Sequence, residues 1–456
     1  MRLVESERPL CGLTNMRKKV RRFEGLPWRF TDKRFTAWGG LRVLEEMLRR
    51  VGWSQALGSA PLPKPGSNRG YKPVHMVQAF IVTIWTGGVR FAQTALVRYD
   101  EALCSIFGLS EVACVSSFTR FFRRFNRGQV ERVFSHLSDW CWQRVAAASW
   151  TVDLDSSVLT RYGDQEGSSR GFNPKHRGKK SHHPLIAFAA ECRMVVNAWL
   201  RPGNTTDGTN VENFFREVLG IFGKRHRVGL VRGDSGFCIG SFMDLLEENR
   251  IDYVIVCRVL ATLRRQITGL KDWVQLDERT AAAECQYHAQ GWSRPRRIVV
   301  LRFPVAQRPT GQMLLEVPGY SYAVYVTNLR LSASHIRELY LGRADSENRI
   351  KELLQDFAMS GFVSQKFWAT EAAFRMALFA YNLMSLFRQF VLGTASKHTL
   401  STLRAQCFAI GASLGKAAHK RMLRVGLPPP RRQWFEGLFS VAQSLNGYSQ
   451  LKKPKT

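Results

Sequence analysis

The sequence predicts an α/β fold in which a mixed sheet is flanked by helices, with a helical region before it and a β-rich insertion within it. Apolar residues recur at helical spacing before Trp150 and at strand spacing after it. Three strand-like runs in succession then lead into a strand–helix–strand unit. Between about Leu260 and Leu329 a second β-rich stretch, broken by Pro and Gly, precedes a return to long helices. A layered sheet with helices packed on it buries the apolar faces of such elements.

These changes of pattern divide the 456 residues into six regions. Each region is named by the structure that its pattern predicts. They are a basic arm (1–35), a helical region (36–148), the first part of the sheet-bearing domain (149–259), a β-rich insertion (260–330), the second part of that domain (331–395) and a basic C-terminal helical region (396–456).

The helical region contains the apolar helix "KPVHMVQAFIVTIWTGG" and the two-helix segment "CVSSFTRFFRRFNRGQVERVFSHLSDWCWQRV". In the latter, Ser116 or Ser117 is expected to cap a helix. Helical spacing places two sets of side chains on opposite faces. Phe118, Phe121, Phe122 and Phe125 point inward, and Arg120, Arg123 and Arg124 point outward. Two interpretations stay open: a helix-turn-helix that reads DNA, or a core helix with a solvated basic face.

The strands of the sheet follow. In "WTVDLDSSVL", Val152 and Leu154 share one face, and Asp153 and Asp155 share the other. The runs "HHPLIAFAAE" and "RMVVNAWLRPGN" predict two further strands joined by a short turn. The strands "VGLVRGD" and "DYVIVCRV" enclose the short helix "SFMDLLEEN". The order of these elements predicts a mixed sheet.

The charge balance indicates a polyanionic partner. Lys and Arg number 67 and Asp and Glu number 36, which gives a net charge of +31 and a pI near 10.4. Nucleic acid is the usual partner of such a chain, because each neutralised phosphate releases counterions. A basic membrane-surface protein is the alternative. The most apolar long stretch, "EAAFRMALFAYNLMSLFRQFVL", contains Glu371, Arg375 and Arg388 and therefore predicts a buried helix rather than a membrane span.

The nine cysteines are scattered, and no CxxC pair occurs. This pattern predicts reduced thiols in a cytosolic protein rather than a disulfide framework or a zinc site. The N-terminal stretch has no long apolar core, so no signal peptide is expected.

Two aspartates follow strands and precede turns. Asp155 precedes two serines, and Asp234 begins "DSGF". Tight-turn chemistry explains Asp, Ser and Gly at such places. The alternative is a metal site at the sheet edge, which needs a third carboxylate. In "YLGRADSENRIKELLQDFAM", helical periodicity places Glu347 on the stripe expected to be buried, where a salt bridge to Arg343 is the simpler explanation. Carboxylate oxygens suit Mg²⁺, and two such ions catalyse phosphodiester chemistry.

Several longer motifs carry a resemblance. "DLDSSVLTRYGDQEGSSRGFNPKHRGKKSHHPLIAF", "LRPGNT", "RGDSGF" and "LYLGRADSENRIKELLQDF" occur in this order. Together they resemble the DDE transposases of bacterial insertion sequences, in particular a cut-and-paste branch with an RNase H-like catalytic domain interrupted by a β insertion. The resemblance extends from about Trp150 to Leu386, and more loosely over the helical region.

The resemblance implies that Asp155, Asp234 and Glu347 form a catalytic triad that binds two Mg²⁺ ions, with Mn²⁺ as a substitute. Asp153 is a rival for the first position. Tyr340 and Arg343 match the Tyr-x2-Arg-x3-Glu pattern and are expected to contact DNA near the cleaved end. Related enzymes carry a lysine seven residues after the glutamate, where this chain has Leu354. Lys351 is the nearest basic residue.

The resemblance also implies further DNA contacts. In the hairpin-forming branch an aromatic residue of the insertion stacks on a flipped base, and Trp292 is the candidate. The alternative is that Trp292 packs its own hairpin. The loop "GFNPKHRGKKSHHP" has too few ligands for zinc and is expected either to clamp phosphates or to be a solvated surface. The expected phosphate contacts are Lys175, Arg177, Lys179 and Lys180.

The predicted activity is phosphoryl transfer on double-stranded DNA. Water frees a 3′-OH at the end of the element, and that hydroxyl attacks the opposite strand or target DNA. A homodimer in the DNA complex and a place in the bacterial cytoplasm with the nucleoid are expected, and no membrane association is expected. Two alternatives remain: a hydrolytic nuclease of the same fold, and a catalytically silent DNA-binding repressor of the element.

Overall fold

The large sheet contains ten strands among the residues that the computed structural model describes, which are 26, 28–67, 70–304, 315–317, 319–393 and 396–446. By its internal contacts the chain divides into Met1–Lys33 and Arg34–Thr456. In the first unit, Trp28 and Phe30 are exposed. The predicted basic arm lies largely outside the described residues. The other predicted regions lie within the second unit, and their boundaries remain predictions.

The helical region begins with a short strand and continues as helices whose apolar faces are buried. Its elements are β1 (Arg34–Thr36), α1 (Leu41–Arg50), α2 (Trp53–Ser59), α3 (Pro73–Trp85), α4 (Thr94–Arg98), α5 (Glu101–Ile106), α6 (Val115–Phe122) and α7 (Arg127–Trp142). The predicted phenylalanines of α6 are buried and its arginines are exposed, as expected. The predicted cap is wrong, because Cys114 precedes the first helical residue and both serines lie in the first turn.

The first part of the sheet-bearing domain follows the predicted order. Its elements are β2 (Trp150–Ser156), β3 (Leu159–Thr160), β4 (Ser169–Arg170), β5 (Lys180–His182), β6 (Leu185–Ala189), β7 (Met194–Trp199), α8 (Val211–Phe222), β8 (Val228–Gly233), α9 (Gly240–Glu248) and β9 (Asp252–Val256). Strands β3, β5 and β4 form a small separate sheet.

Five of these strands form one side of the large sheet, in the order β7–β6–β2–β8–β9, with β7 outermost. Strand β2 is antiparallel to β6 and parallel to β8, and β8 is parallel to β9. A three-stranded meander followed by two parallel strands is the RNase H-like arrangement that was predicted. Because β2 and β8 are parallel, their carboxyl ends meet at one edge of the sheet.

The insertion continues this sheet. Its elements are α10 (Ala261–Thr268), β10 (Val274–Asp277), β11 (Thr280–Tyr287), β12 (Arg296–Pro304), β13 (Leu315–Val317) and β14 (Tyr320–Thr327). Strand β14 pairs antiparallel with β9, and the order continues through β12 and β11 to β10. The insertion therefore is β-rich, as expected, and its strand β14 forms backbone hydrogen bonds with β9.

Helices return after the insertion as α11 (Ala333–Leu341), α12 (Ala344–Gln355), α13 (Phe367–Phe387) and α14 (Leu400–Leu403). Helix α13 is buried along most of its length, and α3, α6 and α7 of the helical region pack against it. Its Glu371 pairs with Arg375 within the helix. Within the described residues, no helix combines the length and apolar character needed to cross a membrane.

The C-terminal region was expected to be helical, and that expectation is wrong in part. After α14 the chain forms a hairpin of β15 (Ala412–Ala417) and β16 (Lys420–Val425), which precedes α15 (Pro429–Ser444). Strand β15 also pairs with β1. The sequence concealed the hairpin because its turn residues, Ala418 and His419, adopt positive φ without the usual glycine or asparagine.

The cysteines behave as expected within the described part of the chain. Those at positions 104, 114, 141, 192, 238, 257, 285 and 407 are all free. Cys11 lies outside the described residues.

Candidate active site

Asp155 and Asp234 meet at the carboxyl edge of the parallel strand pair. In the ladder, Asp153 of β2 lies opposite Arg232 of β8, so the two aspartates occupy equivalent positions two residues further on. Both aspartates lie near the positively charged side chain of Arg343. A terminal nitrogen of Arg343, Nη2, lies 3.3 Å from Oδ1 of Asp155 and 4.0 Å from Oδ2 of Asp234. The structure therefore brings together three of the residues predicted from the sequence.

The contacts of Asp234 are consistent with both interpretations of its sequence, a tight turn and a metal site. The Asp234 side chain accepts a hydrogen bond from the backbone N–H of Gly236 at 2.9 Å, which is a tight-turn contact. Its other oxygen faces Arg343. A Cβ atom at Gly236 would lie 2.3 Å from Oδ2 of Asp207, so this position has no room for a side chain. The glycine thus lets the carboxylate of Asp207 lie beside the turn.

Burial and charge disfavour ionised aspartates here. Burial raises the pKa of Asp155, and the positive charge of Arg343 opposes the rise. Burial also raises the pKa of Asp234 to about 6; Arg343 opposes this rise, and the negative charges of Asp207 and Asp155 add to it. Carboxylates in such surroundings are stabilised by a bound cation. Arg343 supplies that charge in this structure.

Glu347 is not buried, contrary to the prediction. The predicted stripe assumed one continuous helix, but α11 ends at Leu341 and α12 begins at Ala344. Within α12, Ser346, Arg349 and Ile350 are buried, and Glu347 is exposed. The predicted ion pair from Arg343 instead joins that arginine to Asp155 and Asp234. Glu347 nevertheless lies close enough for its charge to raise the pKa of Asp155.

The carboxylate that α12 buries is Glu352. It is 3% exposed and accepts hydrogen bonds from Arg388 and from the backbone N–H of Leu400. It therefore ties α12 to the chain that follows α13. Within the described ranges, no group of three or more His, Cys, Asp or Glu side chains is arranged to hold a metal ion.

Asp153, the rival for the first position, is fully buried. Its two oxygens accept hydrogen bonds from Arg232 at 2.6 and 3.0 Å, and Arg349 approaches at 3.3 Å. Arg349 in turn bonds Asp345 at 2.9 Å. These arginines use the acceptor capacity of Asp153 inside the protein, which leaves Asp155 as the aspartate of β2 that faces the site.

Sequence reasoning missed a polar network beside Asp155. The Ser156 hydroxyl lies 2.5 Å from Oδ1 of Asp207 and 3.0 Å from Nε2 of His183. Nδ1 of His183 donates to the carbonyl of Thr205 at 2.8 Å, because a carbonyl only accepts. The hydrogen bond from His183 lowers the pKa of Asp207 against the effect of burial. Asp207 lies in a loop after β7, and no motif in the sequence singled it out.

A second missed residue binds the first aspartate directly. The Ser346 hydroxyl donates to Oδ2 of Asp155 at 3.1 Å. Ser346 is fully buried in the first turn of α12, one residue before Glu347. The only signal in the sequence is that Ser346 directly precedes the predicted Glu347. The serine side chain reaches Asp155, whereas the glutamate side chain faces solvent.

Tyr340 and Lys351 lie on either side of the break between α11 and α12. Tyr340 is buried, packs against Tyr325 at 4.8 Å between ring centroids, and has its pKa raised to about 12 by burial. Lys351 is exposed on α12. Leu354, where related enzymes carry a lysine, is half-buried.

The basic loop divides into exposed and paired residues. Lys175, Arg177 and Lys179 are exposed. Lys180 lies at the start of β5 and binds Asp164 at 2.6 Å, so it is not a free surface cation. The neighbouring His182 is fully buried and accepts a hydrogen bond from Arg161. This histidine therefore belongs to the core.

Trp292 does not present its ring to solvent. It is 9% exposed and packs edge-on against Tyr287, with centroids 5.7 Å apart. The guanidinium of Arg296 lies 5.5 Å from the ring centroid, and α9 approaches at Gly240. In this conformation the side chain is not available to stack on a base. The packing interpretation of Trp292 fits this geometry, and the stacking expectation does not.

The arginines of α6 and of the turn that follows it lie on the protein surface. Arg120, Arg123 and Arg124 are exposed. Arg124 donates to the carbonyl of Lys64 at 2.9 Å, and Arg120 donates to the Ser117 hydroxyl at 3.1 Å. Their guanidinium groups have no carboxylate partner among the described residues.

A comparison with known protein families identifies the family of this chain. The chain matches the family described as transposase DDE domain group 1 over residues 21–446. A cryo-EM structure of piggyBac transposase in a synaptic complex with hairpin DNA is similar over 80% of this chain and 78% of that chain, with 11% sequence identity and a TM-score of 0.46. The comparison with curated proteins found no match.

Proposed function

This chain belongs to the DDE transposase family, whose members cleave DNA and transfer its strands, and we propose that it moves a bacterial insertion sequence by a cut-and-paste route. It cleaves at the ends of the element and joins them to target DNA by phosphoryl transfer. The observation that carries the proposal is the convergence of Asp155 and Asp234 on one cation at the edge where β2 and β8 end.

The proposed metal ligands are Asp155, Asp234 and Glu347. The two aspartates fit a divalent cation, because their oxygens already share a positive group and their ionised forms are costly without one. Glu347 lies in the first turn of α12, directly after the serine that binds Asp155. Mg²⁺, with Mn²⁺ as a substitute, would activate the attacking oxygen and stabilise the leaving one.

The chain's own residues would position the DNA. Arg343 links both aspartates, and we assign it and Tyr340 to the region of the cleaved end. Exposed Lys175, Arg177, Lys179 and Lys351 supply charge for phosphates, and Lys180 contributes when its pair with Asp164 opens. We assign Arg120, Arg123 and Arg124 to binding of the element ends through the helical region.

The proposed working form is a homodimer on double-stranded DNA, in the bacterial cytoplasm with the nucleoid. Pairing of subunits would bring the two ends of the element together. The net charge of +31 favours binding to DNA.

A joining assay tests the proposal. Purified protein is incubated with a supercoiled plasmid that carries the element between its ends, and with a labelled end fragment that has a free 3′-OH. We expect excision from the plasmid and covalent transfer of the labelled strand, each only when a divalent metal is present. Cleavage without joining would establish the hydrolytic nuclease instead, and binding without either reaction would establish the silent repressor.

A further inference from the structure

The hairpin of β15 and β16 carries positive charge that the fold does not require. Region 396–456 contains a single acidic residue, Glu436, which lies outside the hairpin. Four exposed basic side chains lie on the two strands. They are Lys416, Lys420, Arg421 and Arg424. No salt bridge to any of them occurs among the described residues.

Two features of the hairpin cost stability. Lys416 lies directly opposite Arg421 in the ladder, and like charges in that position destabilise a strand pair. Ala418 and His419 adopt φ values of 46° and 65° at the tip, a conformation that costs residues other than glycine on the order of 1 kcal/mol each. When several destabilising features occur together in one element, they indicate a functional surface.

The positive charge lies on both faces of the ribbon. Residues directly opposite in a ladder share a face, and successive residues alternate between faces. Lys416 and Arg421 therefore occupy one face. Lys420, opposite Ala417, and Arg424, opposite Ser413, occupy the other face. A surface that lies flat on an anion needs charge on one face, whereas a ribbon inserted between two anionic walls needs it on both.

Near its tip, the ribbon pairs with no other strand in the described part of the chain. Strand β1 pairs with β15 only from Ala412 to Leu414. From Gly415 to the turn, the described pairing of β15 is with β16 alone. The Arg424 guanidinium lies over Gly415, and its central carbon would be in ordinary van der Waals contact, at 3.5 Å, with a Cβ at that position. The ribbon is thus anchored at its base and extends toward a basic tip.

We propose that the β15–β16 hairpin is a DNA-binding ribbon that enters the major groove of duplex DNA and contacts the phosphates on both sides. The major groove, about 12 Å wide, admits a two-stranded ribbon, and its walls are the two phosphate backbones. The four side chains contact phosphates, so the contribution is independent of sequence. The inference rests on the proposed function only in taking duplex DNA as the substrate.

The alternative structural explanation is protection of an edge. Strand β16 lies at the edge of its three-stranded sheet in the described part of the chain, and charged residues on edge strands prevent aggregation. Edge protection accounts for Lys416 as well, because β15 pairs with β16 alone beyond Leu414 in the described part of the chain, but it does not require like charges directly opposite each other, as Lys416 and Arg421 are. The two explanations also predict different effects of neutralising the charges.

The test measures DNA affinity in EDTA, where no cleavage occurs, so its result is independent of the metal site. All four basic residues of the ribbon are replaced by Gln in the full chain, and binding to a mixed-sequence duplex and to the element ends is measured against salt. We expect both affinities to fall by about ten-fold or more at 0.15 M salt, and the slope of log affinity against log salt to fall by about 3 to 4, since each lost phosphate contact removes about 0.9.

Two controls accompany this variant. In the first, Arg216, Lys224, Arg227 and Arg250 are replaced by Gln. These residues are exposed, and the last three lie in the turns that precede β8 and β9, at the ends of those strands opposite Asp234. In the second control, lysine and arginine are exchanged within the ribbon, which keeps its charge. Both controls should bind as the unchanged protein does.

Chemical probing locates the groove. Dimethyl sulfate methylates guanine N7, which lies in the major groove. The unchanged protein should protect some guanines, and the ribbon variant should lose that protection. Equal loss of affinity in the first control would overturn the proposal, because net charge alone would explain the effect. If the ribbon variant keeps its DNA affinity but aggregates, the charges protect an edge. If the variant loses affinity but the unchanged protein does not protect guanine N7 from methylation, the ribbon does not enter the major groove.

Discussion

Arg343 shows how single residues define the site. Its side chain is 9% exposed, and it neutralises Asp155, whose side chain is 14% exposed. In the metal-free protein this pair is therefore largely removed from solvent. Removing one member of such a pair leaves an uncompensated charge in the protein interior.

Replacing Arg343 by Gln should destabilise the metal-free protein by about 3–5 kcal/mol, as expected for a broken buried pair. Mg²⁺ should raise the melting temperature of this variant by more than it raises that of the unchanged protein, because the ion restores the missing positive charge. Thermal melting in EDTA and in Mg²⁺ measures both effects.

The matched control for this change is Arg337→Gln. Arg337 pairs with Asp277 on the surface at 2.8 Å, and loss of such a pair costs about 1 kcal/mol or less. Equal metal-dependent shifts in both variants would show that Arg343 does not occupy the metal position.

Substitution of Asp153 should mainly affect stability, whereas substitution of Asp155 should mainly affect DNA cleavage. Asp153→Asn should lower stability by about 3–5 kcal/mol, because two arginines lose their buried partner. Asp155→Asn should abolish cleavage at a smaller cost in stability, because Arg343 keeps Asp234 as a partner at 4.0 Å and the repulsion between the two aspartates is removed. Urea unfolding and plasmid cleavage measure the two effects. An Asp153→Asn protein of normal stability that cannot cleave DNA would make Asp153 the metal ligand.

At the scale of elements, the sequence predicted the buried strands well. Alternation in β2 and the continuous apolar runs of β6, β8 and β9 are strong signals, because both sheet faces are covered. The helix break was not visible. Gly342 and Arg343 interrupt α11 and α12 without a proline. Periodicity also placed Glu347 on the buried face, where the structure buries the neighbouring Ser346 instead. The contacts of Asp207 and Ser346 depend on tertiary packing, which no local pattern encodes.

The insertion's hairpin of β11 and β12 depends on Trp292. Trp292→Ala should lower the free energy of unfolding by about 3–5 kcal/mol, since it removes a large buried side chain. Trp292→Phe should cost less than half of that, because much of the ring contact with Tyr287 is kept. Denaturant unfolding measures both changes. An alanine variant of unchanged stability with a specific defect in DNA strand opening would instead support base stacking by Trp292.

At the scale of the whole molecule, one sheet connects the insertion with the end of the strands where Asp155 and Asp234 lie. The strand order from β10 to β7 is continuous, so the strands that carry the aspartates are hydrogen-bonded to the insertion through β9 and β14. The helical region packs on α13, which in turn lies against β7. The net charge of the full chain, +31, suits a partner as anionic as DNA.

The central claim is that Asp155, Asp234 and Glu347 form one metal-dependent catalytic site. The most direct test is cleavage of a supercoiled plasmid carrying the element's ends by the unchanged protein and by Glu347→Gln, in Mg²⁺ and in EDTA. Glu338→Gln, an exposed glutamate on the preceding helix, is the control. We expect metal-dependent cleavage that is lost in Glu347→Gln, kept in Glu338→Gln, and accompanied by unchanged DNA binding in all three proteins. Full cleavage by Glu347→Gln, or cleavage in EDTA, would contradict the claim.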